Sequence, residues 1–139
     1  GDFVFSWCSS LAQISIPFSV TQIGNYAFYG CSSLTQIYIP PSVTQIGDSA
    51  FSVCSSLTEI SIPSSVTQIG KDIFNKCSSL AKILVPSSLI SQLNLENLGH
   101  SSEIEIDVLW RKYIIKYQIY LSITISIVMI NHTQLSEKY

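Results

Sequence analysis

Hydrophobic and polar positions along this chain repeat with a fixed period. The tetrapeptide Cys-Ser-Ser-Leu begins at residues 8, 31, 54 and 77, and an apolar–polar–apolar triplet ending in proline follows each copy. The first three copies then continue with Val-Thr-Gln-Ile-Gly. A small or β-branched residue followed by phenylalanine lies shortly before each cysteine. A constant spacing of this size is typical of a repeat solenoid, in which each unit buries its apolar face only against its neighbours.

The pattern inside one unit predicts two short strands and a helical turn. Leu34–Ile39 alternates apolar and polar residues as a strand with one buried face does, and Pro40 ends it because proline lacks a backbone donor. Val43–Ile46 is short and rich in β-branched residues, which favours a second extended segment. Gly47 indicates a turn with an unusual backbone angle, and Asp48–Phe51 is expected to form one helical turn. Each rung is therefore β-rich and runs strand, turn, short strand, helical turn.

One cysteine in every unit has two structural interpretations. Free cysteine behaves as a small apolar residue, and a column of equivalent residues keeps its Cβ vectors parallel, which is poor geometry for a disulfide. We therefore favour a stacked column of buried thiols, with disulfides as the alternative. The repeats contain no Cys-x-x-Cys pair and no histidine, so we expect no zinc site and no cofactor.

Composition argues against nucleic-acid binding and catalysis. The chain is 47% hydrophobic and only 12% charged, with a net charge of −2, and residues 1–70 contain no Lys or Arg. The repeats therefore have no basic patch with which to neutralise phosphates. Both histidines, His100 and His132, lie outside the regular repeats, and no nucleophile or phosphate-binding motif is present. We expect a protein that is not an enzyme.

The repeat pattern changes after Leu89, which predicts two parts. We expect a solenoid over residues 1–89, with units beginning at Cys8, Cys31, Cys54 and Cys77, and a divergent C-terminal segment, irregular or β, over residues 90–139. Residues 94–107 are polar and acidic, and the sequence predicts a loop there with a short extended segment at Ile104–Ile106.

Residues 114–130 form an isoleucine-rich stretch. Its strict period-two alternation from Ile119 to Ile127 favours a strand or hairpin that caps the stack. A disordered tail and membrane association are the alternatives, although the uninterrupted apolar run is shorter than the ~20 residues of a spanning helix.

The repeat resembles the BspA-type leucine-rich repeats in two consecutive stretches, Leu-x-x-Ile-x-Ile-Pro and Ser-Ser-Val-Thr-x-Ile-Gly-x-x-Ala-Phe-x-x-Cys-Ser-Ser-Leu. The resemblance covers residues 1–89. It implies a right-handed leucine-rich-repeat solenoid that acts as a non-enzymatic protein–protein interaction module. Proteins with such repeats are surface or secreted proteins of bacteria and parasitic protists, many with adhesive roles. The implied partner is a protein, such as a host or extracellular matrix protein.

The sequence leaves the role and location of the chain open. Gly1 occupies the repeat position of Gly24, so we expect a fragment of a longer adhesin-like array. A structural spacer within a longer repeat protein and a truncated product without its own function are the alternatives. Surface or secreted localisation follows from the family resemblance alone.

The candidate binding residues lie between the inward-facing isoleucines of the first strand. If Ile14 and Ile16 point inward, the residues beside them point outward in every unit. These outward residues form two columns, Gln13, Gln36, Glu59, Lys82 and Ser15, Tyr38, Ser61, Leu84. Tyr38 is the one aromatic residue in these two columns and is the expected anchor for a partner. Glu59 and Lys82 are expected to be cross-strand neighbours about 5 Å apart. A solvated sheet surface is the alternative for each position. A second outward column, Thr21-Gln22, Thr44-Gln45 and Thr67-Gln68, is expected to support hydrogen bonds between rungs.

Overall fold

Short parallel strands, stacked one repeat unit above the next, build this protein. The structure, a computed structural model, describes residues 1–93 and 105–108. Its elements are β1 (Gln22–Ile23), β2 (Gln45–Ile46), β3 (Glu59–Ser61), β4 (Gln68–Ile69), β5 (Lys82–Val85), a 3₁₀ helix (Ser87–Gln92) and β6 (Glu105–Val108). They form two three-stranded parallel sheets with the strand orders β1-β2-β4 and β3-β5-β6.

Every strand pair joins equivalent positions of neighbouring rungs. Gln22 pairs with Gln45 in the first sheet, and Glu59 pairs with Lys82 in the second. Isolated parallel bridges from Ser15 to Tyr38 and from Tyr38 to Ser61 extend the second sheet through the earlier rungs. The first extended segment pairs in every unit, and the second forms β1, β2 and β4 in the first three units, whereas the fourth unit has the 3₁₀ helix at that position. The predicted in-register stack is confirmed.

The core consists of the repeated apolar columns laid over one another. The buried apolar residues of the third rung are Ala50, Phe51, Cys54, Leu57, Ile60, Ile62, Val66 and Ile69. The phenylalanine rings Phe5, Phe28, Phe51 and Phe74 stack with successive centroid separations of 5.4, 5.4 and 6.1 Å. In the first rung Phe5, Leu11, Ile14 and Val20 are only partly buried. A rung thus closes its apolar interior only where other rungs lie on both sides.

The prediction of a helical turn at Asp48–Phe51 is wrong in detail, because this stretch is a run of tight turns. Ser49 and Val53 adopt left-handed conformations, with φ of 50° and 61°. Their amides donate to Lys71 O at 2.8 Å and Asn75 O at 2.7 Å in the next rung. These amides point along the stack, so hydrogen bonds that a helix would keep local join neighbouring rungs instead.

Glycine is required at Gly47 for a different reason from the one the sequence suggested. Among the described glycines only Gly30 has a positive φ, at 72°. A Cβ atom added to Gly47 would lie 2.5 Å from Asn25 Oδ1 and 2.6 Å from Asn25 N. Gly47 therefore lets the neighbouring rung approach closely, rather than supplying an unusual turn angle.

The repeat register continues beyond Leu89. The extended segment expected at Ile104–Ile106 is present as β6, which pairs Glu105 with Lys82 and Val108 with Val85. Gly1–Val108 forms one compact unit. The interpretations of residues 114–130 concern residues outside those described, and the domain boundary at residue 89 stays a prediction. No helix in the described part of the chain has the length and apolarity needed to span a bilayer.

Candidate protein-binding face

The parallel register brings the eight predicted binding residues onto one sheet surface, here called the candidate face. Ser15, Tyr38 and Ser61 follow one another in adjacent rungs, and Ser61 pairs with Leu84. The second column is in register where β3 meets β5, with Glu59 opposite Lys82. This confirms that Glu59 and Lys82 are cross-strand neighbours.

Exposure differs along the candidate face. Six of its residues are exposed, namely Gln13, Ser15, Gln36, Tyr38, Glu59 and Ser61, whereas Lys82 and Leu84 are partly buried. Tyr38 leaves 63% of its surface in contact with solvent. Lys82 and Leu84 lie on β5, in the fourth rung, whereas the six exposed residues belong to the three rungs before it. The accessible part of the face therefore belongs to the first three rungs.

A shallow depression of about 440 Å³ lies around Tyr38. Five candidate residues line it together with two inner isoleucines: Gln13, Gln36, Tyr38, Glu59, Ser61, Ile14 and Ile37. The small serine neighbours of Tyr38 leave the phenol ring standing above the sheet. The depression thus offers one aromatic ring, two amide groups, two hydroxyls and a carboxylate, so its lining contains both hydrogen-bond donors and acceptors.

The electrostatic character of the face changes at its C-terminal end. Glu59 is an exposed carboxylate, and β5 places Lys82 in register between Glu59 and Glu105. The parallel register thus places residues of opposite charge at adjacent positions at this end of the face. Within residues 1–93 and 105–108, no group of three or more His, Cys, Asp or Glu side chains could hold a metal ion.

The second outward column holds the rungs together, as predicted. Thr44 Oγ1 donates to Thr21 O at 3.2 Å, and Thr67 Oγ1 donates to Thr44 O at 3.4 Å. Gln45 Nε2 donates to Gln68 Oε1 at 3.4 Å. These side chains therefore reinforce the parallel backbone ladder of β1, β2 and β4.

The cysteine column has a second role that the sequence reasoning missed. All four thiols are free, Cys8 is exposed, and the other three are buried. Cys31, Cys54 and Cys77 donate from Sγ to the carbonyls of Phe5, Phe28 and Phe51, at 3.1, 3.2 and 3.0 Å. Burial raises the pKa of Cys31 to about 11 and that of Cys77 to about 12. The thiols are therefore protonated hydrogen-bond donors inside the core.

A ladder of Asp and Asn side chains, also missed, links the rungs beside the glycine column. Asn25 N donates to Asp2 Oδ1, Asp48 N to Asn25 Oδ1, and Lys71 N to Asp48 Oδ1, each at 2.8 Å. The sequence carried a signal, because Asp or Asn follows Gly1, Gly24 and Gly47. Short side-chain oxygens at that position can accept from the backbone amide of the next rung.

The sequence reasoning also missed an aromatic cluster outside the candidate face. Phe3 and Tyr26 stack with ring centroids 4.9 Å apart. Tyr29 meets Tyr26 at 5.7 Å and Trp7 at 5.2 Å, both in edge-on geometry. These four rings come from repeat positions that carry different residue types in the later rungs.

Fold and face together define a leucine-rich-repeat solenoid with an open, polar sheet surface. The BspA type leucine rich repeat region matches residues 1–120 in six copies. The chain belongs to this family, and the match extends past the residues on which the resemblance in sequence rested.

Solved structures that are similar to this chain include two leucine-rich-repeat proteins. The leucine rich repeat protein of T. pallidum is 30% identical with a TM-score of 0.55, over 61% of this chain and 50% of its own. A leucine rich cell surface protein from Faecalibacterium prausnitzii A2-165 is 30% identical with a TM-score of 0.53, over 60% of this chain and 28% of its own. The chain thus spans half or less of these relatives. No curated protein matches it significantly. Leucine-rich-repeat domains generally mediate protein–protein interaction and are typically not enzymes.

Proposed function

We propose that this chain is a non-enzymatic interaction module that binds another protein through the candidate face. The observation that carries the proposal is Tyr38, an aromatic side chain that is 63% exposed at the centre of an ordered sheet surface. Exposed tyrosine supplies a large contact area with few rotatable bonds and a polar tip. Ser15 and Ser61 beside it leave room for a partner to reach the ring.

The rigidity of the stack supports binding at this face. Backbone ladders, hydroxyl ladders and thiol hydrogen bonds join successive rungs on several sides. A surface held in this way loses little conformational entropy on association. Residues that recur in the repeat units build the scaffold. Tyr38, in contrast, differs from the serine that its column carries in the neighbouring rungs.

An adhesive role at a cell surface is the more specific part of the proposal. The similar protein from Faecalibacterium prausnitzii A2-165 is described as a leucine rich cell surface protein. By analogy, this chain belongs to a longer surface or secreted array, and its partner is a host or extracellular matrix protein. The polar, weakly charged character of the candidate face fits a protein surface better than a lipid or nucleic-acid surface.

Binding to immobilised fibronectin, laminin and type I collagen tests the proposal. Tyr38→Ser copies the residue found at Ser15 and Ser61, so the variant should keep the fold. We expect about tenfold weaker binding, since an anchoring aromatic residue contributes at least about 1–2 kcal/mol. Phe18→Ala removes an equally exposed ring, 68% accessible, outside the candidate face and should change nothing.

Two outcomes would contradict the proposal. If Tyr38→Ser and a second variant, Gln36→Ala, both bind as tightly as the parent chain, this face is not the binding surface. If none of the three matrix proteins binds, the proposed adhesive role at extracellular matrix is rejected, and the spacer alternative gains support.

A further inference from the structure

The depression around Tyr38 brings one aromatic ring and one carboxylate together. Tyr38 and Glu59 both line it, and both side chains are exposed. Tyr38 bridges to Ser61 in the next rung, and Glu59 lies two residues before Ser61 on the same outward side of β3. Tyr38 and Glu59 are therefore diagonal neighbours, and the strand spacing and rise put their Cα atoms about 8 Å apart. One long side chain of a partner can reach both groups.

The stacked sheet itself keeps both side chains accessible. Tyr38 lies in the second rung, between Ser15 of the first rung and Ser61 of the third. It leaves 63% of its surface exposed with a rung on either side. Glu59 lies in the third rung, and Lys82 of the fourth rung pairs with it. The exposure of the ring and the carboxylate is therefore a property of the interior of the stack and not of its first rung.

The fold does not use the Glu59 carboxylate. The same column carries Gln13 and Gln36 in the first two rungs, so an uncharged side chain serves the sheet equally well. In the part of the chain that the structure describes, no hydrogen bond or ion pair involves this carboxylate. Lys82 is its cross-strand neighbour, but β5 also places Lys82 in register with Glu105. Two carboxylates thus share one ammonium group, and the strip has one negative charge in excess.

Glu59 determines the charge of the depression. The other side chains that line it are neutral, and residues 1–70 contain no Lys or Arg. Gln36, two residues before Tyr38, adds an exposed amide on the same surface. A partner that approaches the Tyr38 ring therefore meets a negative charge and hydrogen-bonding groups beside it. Charge complementarity favours a positively charged group at this place.

We propose that this depression binds an arginine side chain of the partner protein, with the guanidinium group stacked on the Tyr38 ring and donating to the Glu59 carboxylate. A guanidinium group is planar and stacks on aromatic faces, and its N–H groups form strong hydrogen bonds with carboxylates. A lysine ammonium group has the charge but not the planar shape. The proposal rests on the function proposed above, because it names the group that the candidate face recognises in its partner.

Titration of the full chain with short blocked peptides at low salt tests the proposal. Three peptides alternate glycine with arginine, with lysine, or with citrulline, which has the shape of arginine without the charge. NMR of the backbone amides gives the affinity and locates the contact, which we expect at Tyr38 and Glu59. The arginine peptide should bind most tightly, the lysine peptide less tightly, and the citrulline peptide at least about fivefold more weakly. Binding of the arginine peptide should weaken as salt rises.

Substitutions that the repeat itself supplies test the two groups separately. Tyr38→Ser copies the serine of the neighbouring rungs, and Glu59→Gln copies Gln36, so both variants should keep the fold. Each should weaken binding of the arginine peptide about three- to fivefold. Glu59→Gln should leave the affinity for the citrulline peptide unchanged, because that peptide has no charge for the carboxylate to attract.

Two further variants control for charge. Asp48→Asn removes a carboxylate outside the candidate face and copies Asn25, whose Oδ1 already accepts from the next rung as that of Asp48 does. This variant should bind the arginine peptide as the parent chain does. Lys82→Gln removes the cation beside Glu59 and should strengthen binding of the arginine peptide about twofold.

Equal affinity for the arginine and citrulline peptides, or unchanged binding of the arginine peptide by folded Glu59→Gln, would overturn the proposal. Equal losses in Asp48→Asn and Glu59→Gln would also overturn it, because total charge rather than this depression would then attract the peptide. If arginine selectivity fails while Tyr38→Ser still weakens binding to a matrix protein, only the recognition of arginine is rejected. A Tyr38→Ser variant with unchanged binding to the matrix proteins instead contradicts the function proposed for the face.

Discussion

Each core phenylalanine carbonyl in the first three rungs accepts two hydrogen bonds. Phe28 O, for example, receives Cys31 N at 3.2 Å and Cys54 Sγ at 3.2 Å. Cysteine suits this position because it fills an apolar site and still carries a weak donor. One residue type thus satisfies both the packing and the hydrogen bonding of a dry interior, which accounts for the buried cysteines Cys31, Cys54 and Cys77.

The buried thiols predict a loss of stability at alkaline pH. The ordinary thiol pKa is 9.0, and burial raises it to about 11 in Cys31 and about 12 in Cys77. Because the folded-state pKa is raised, the stabilisation is complete below pH 9 and is lost as pH rises toward 11 and 12. The free energy of unfolding, measured by urea denaturation under reducing conditions, should therefore fall from pH 9 to pH 11.

Cysteine variants separate the thiols from other groups that titrate in the same range. Cys77→Ala removes one buried thiol and should make the decline with pH less steep. Cys8→Ala removes the exposed thiol and should leave the slope unchanged. A parent chain and a Cys77→Ala variant with identical slopes would refute the assignment.

At the scale of single elements, the strands are too short to be stable by themselves. The strands β1, β2 and β4 contain two residues each. Their hydrogen bonds therefore stabilise the fold only as part of a ladder. The 3₁₀ helix Ser87–Gln92 follows β5 where the same unit would otherwise place its second short strand. Its last residue reaches the edge of the first sheet, where Ile69 N donates to Gln92 Oε1 at 3.1 Å.

Gln92→Ala should loosen the edge of β4. The Gln92 side chain accepts from Ile69 N and donates from Nε2 to Thr67 O at 3.4 Å, so it substitutes for part of a fourth strand. Removing it leaves backbone groups of an edge strand unpaired, at a cost of about 1 kcal/mol. Amide hydrogen exchange followed by NMR should become faster at Ile69.

Gln22→Ala is the matched control for this element. Gln22 is an exposed glutamine on β1, the opposite edge strand of the same sheet. Its replacement should leave exchange at Ile69 unaltered. Unchanged exchange at Ile69 in Gln92→Ala would show that the side chain does not protect this edge.

At the scale of the whole molecule, stability depends on the position of a rung in the stack. Phe51 is fully buried between Phe28 and Phe74, whereas Phe5 in the first rung stacks on Phe28 and is only partly buried. In such a one-dimensional array, each unit contributes its own term and an interface with each neighbour. Equivalent residues are therefore not energetically equivalent.

Phe51→Ala should destabilise the protein far more than Phe5→Ala. Truncating a fully buried phenylalanine costs about 3–5 kcal/mol, and in Phe51 it removes ring contacts on both sides. Phe5 has less buried surface to lose. Urea denaturation followed by circular dichroism gives both values, and similar losses for the two variants would contradict the stacked-core account.

Particular residues show which parts of the fold could be predicted from the sequence. The Ile14, Ile37, Ile60 and Ile83 column predicted the strand positions and the outward face between them, because alternation with a fixed period leaves one arrangement that buries all the isoleucines. The continuation into β6 was harder to recognise, since leucine and proline no longer occupy their columns after Leu89. A weaker signal exists, because His100-Ser101-Ser102 stands one full repeat after Cys77-Ser78-Ser79.

By itself, the sequence determined the period, the buried columns and the absence of a recognisable catalytic motif, because these follow from residue types at regular spacing. Only the tertiary structure decided the left-handed turns, the close approach at Gly47 and the thiol donors, because each depends on backbone groups of a neighbouring rung. The aromatic cluster belongs to the second group. Phe3 and Tyr29 belong to different rungs and become parts of one surface only when the rungs stack.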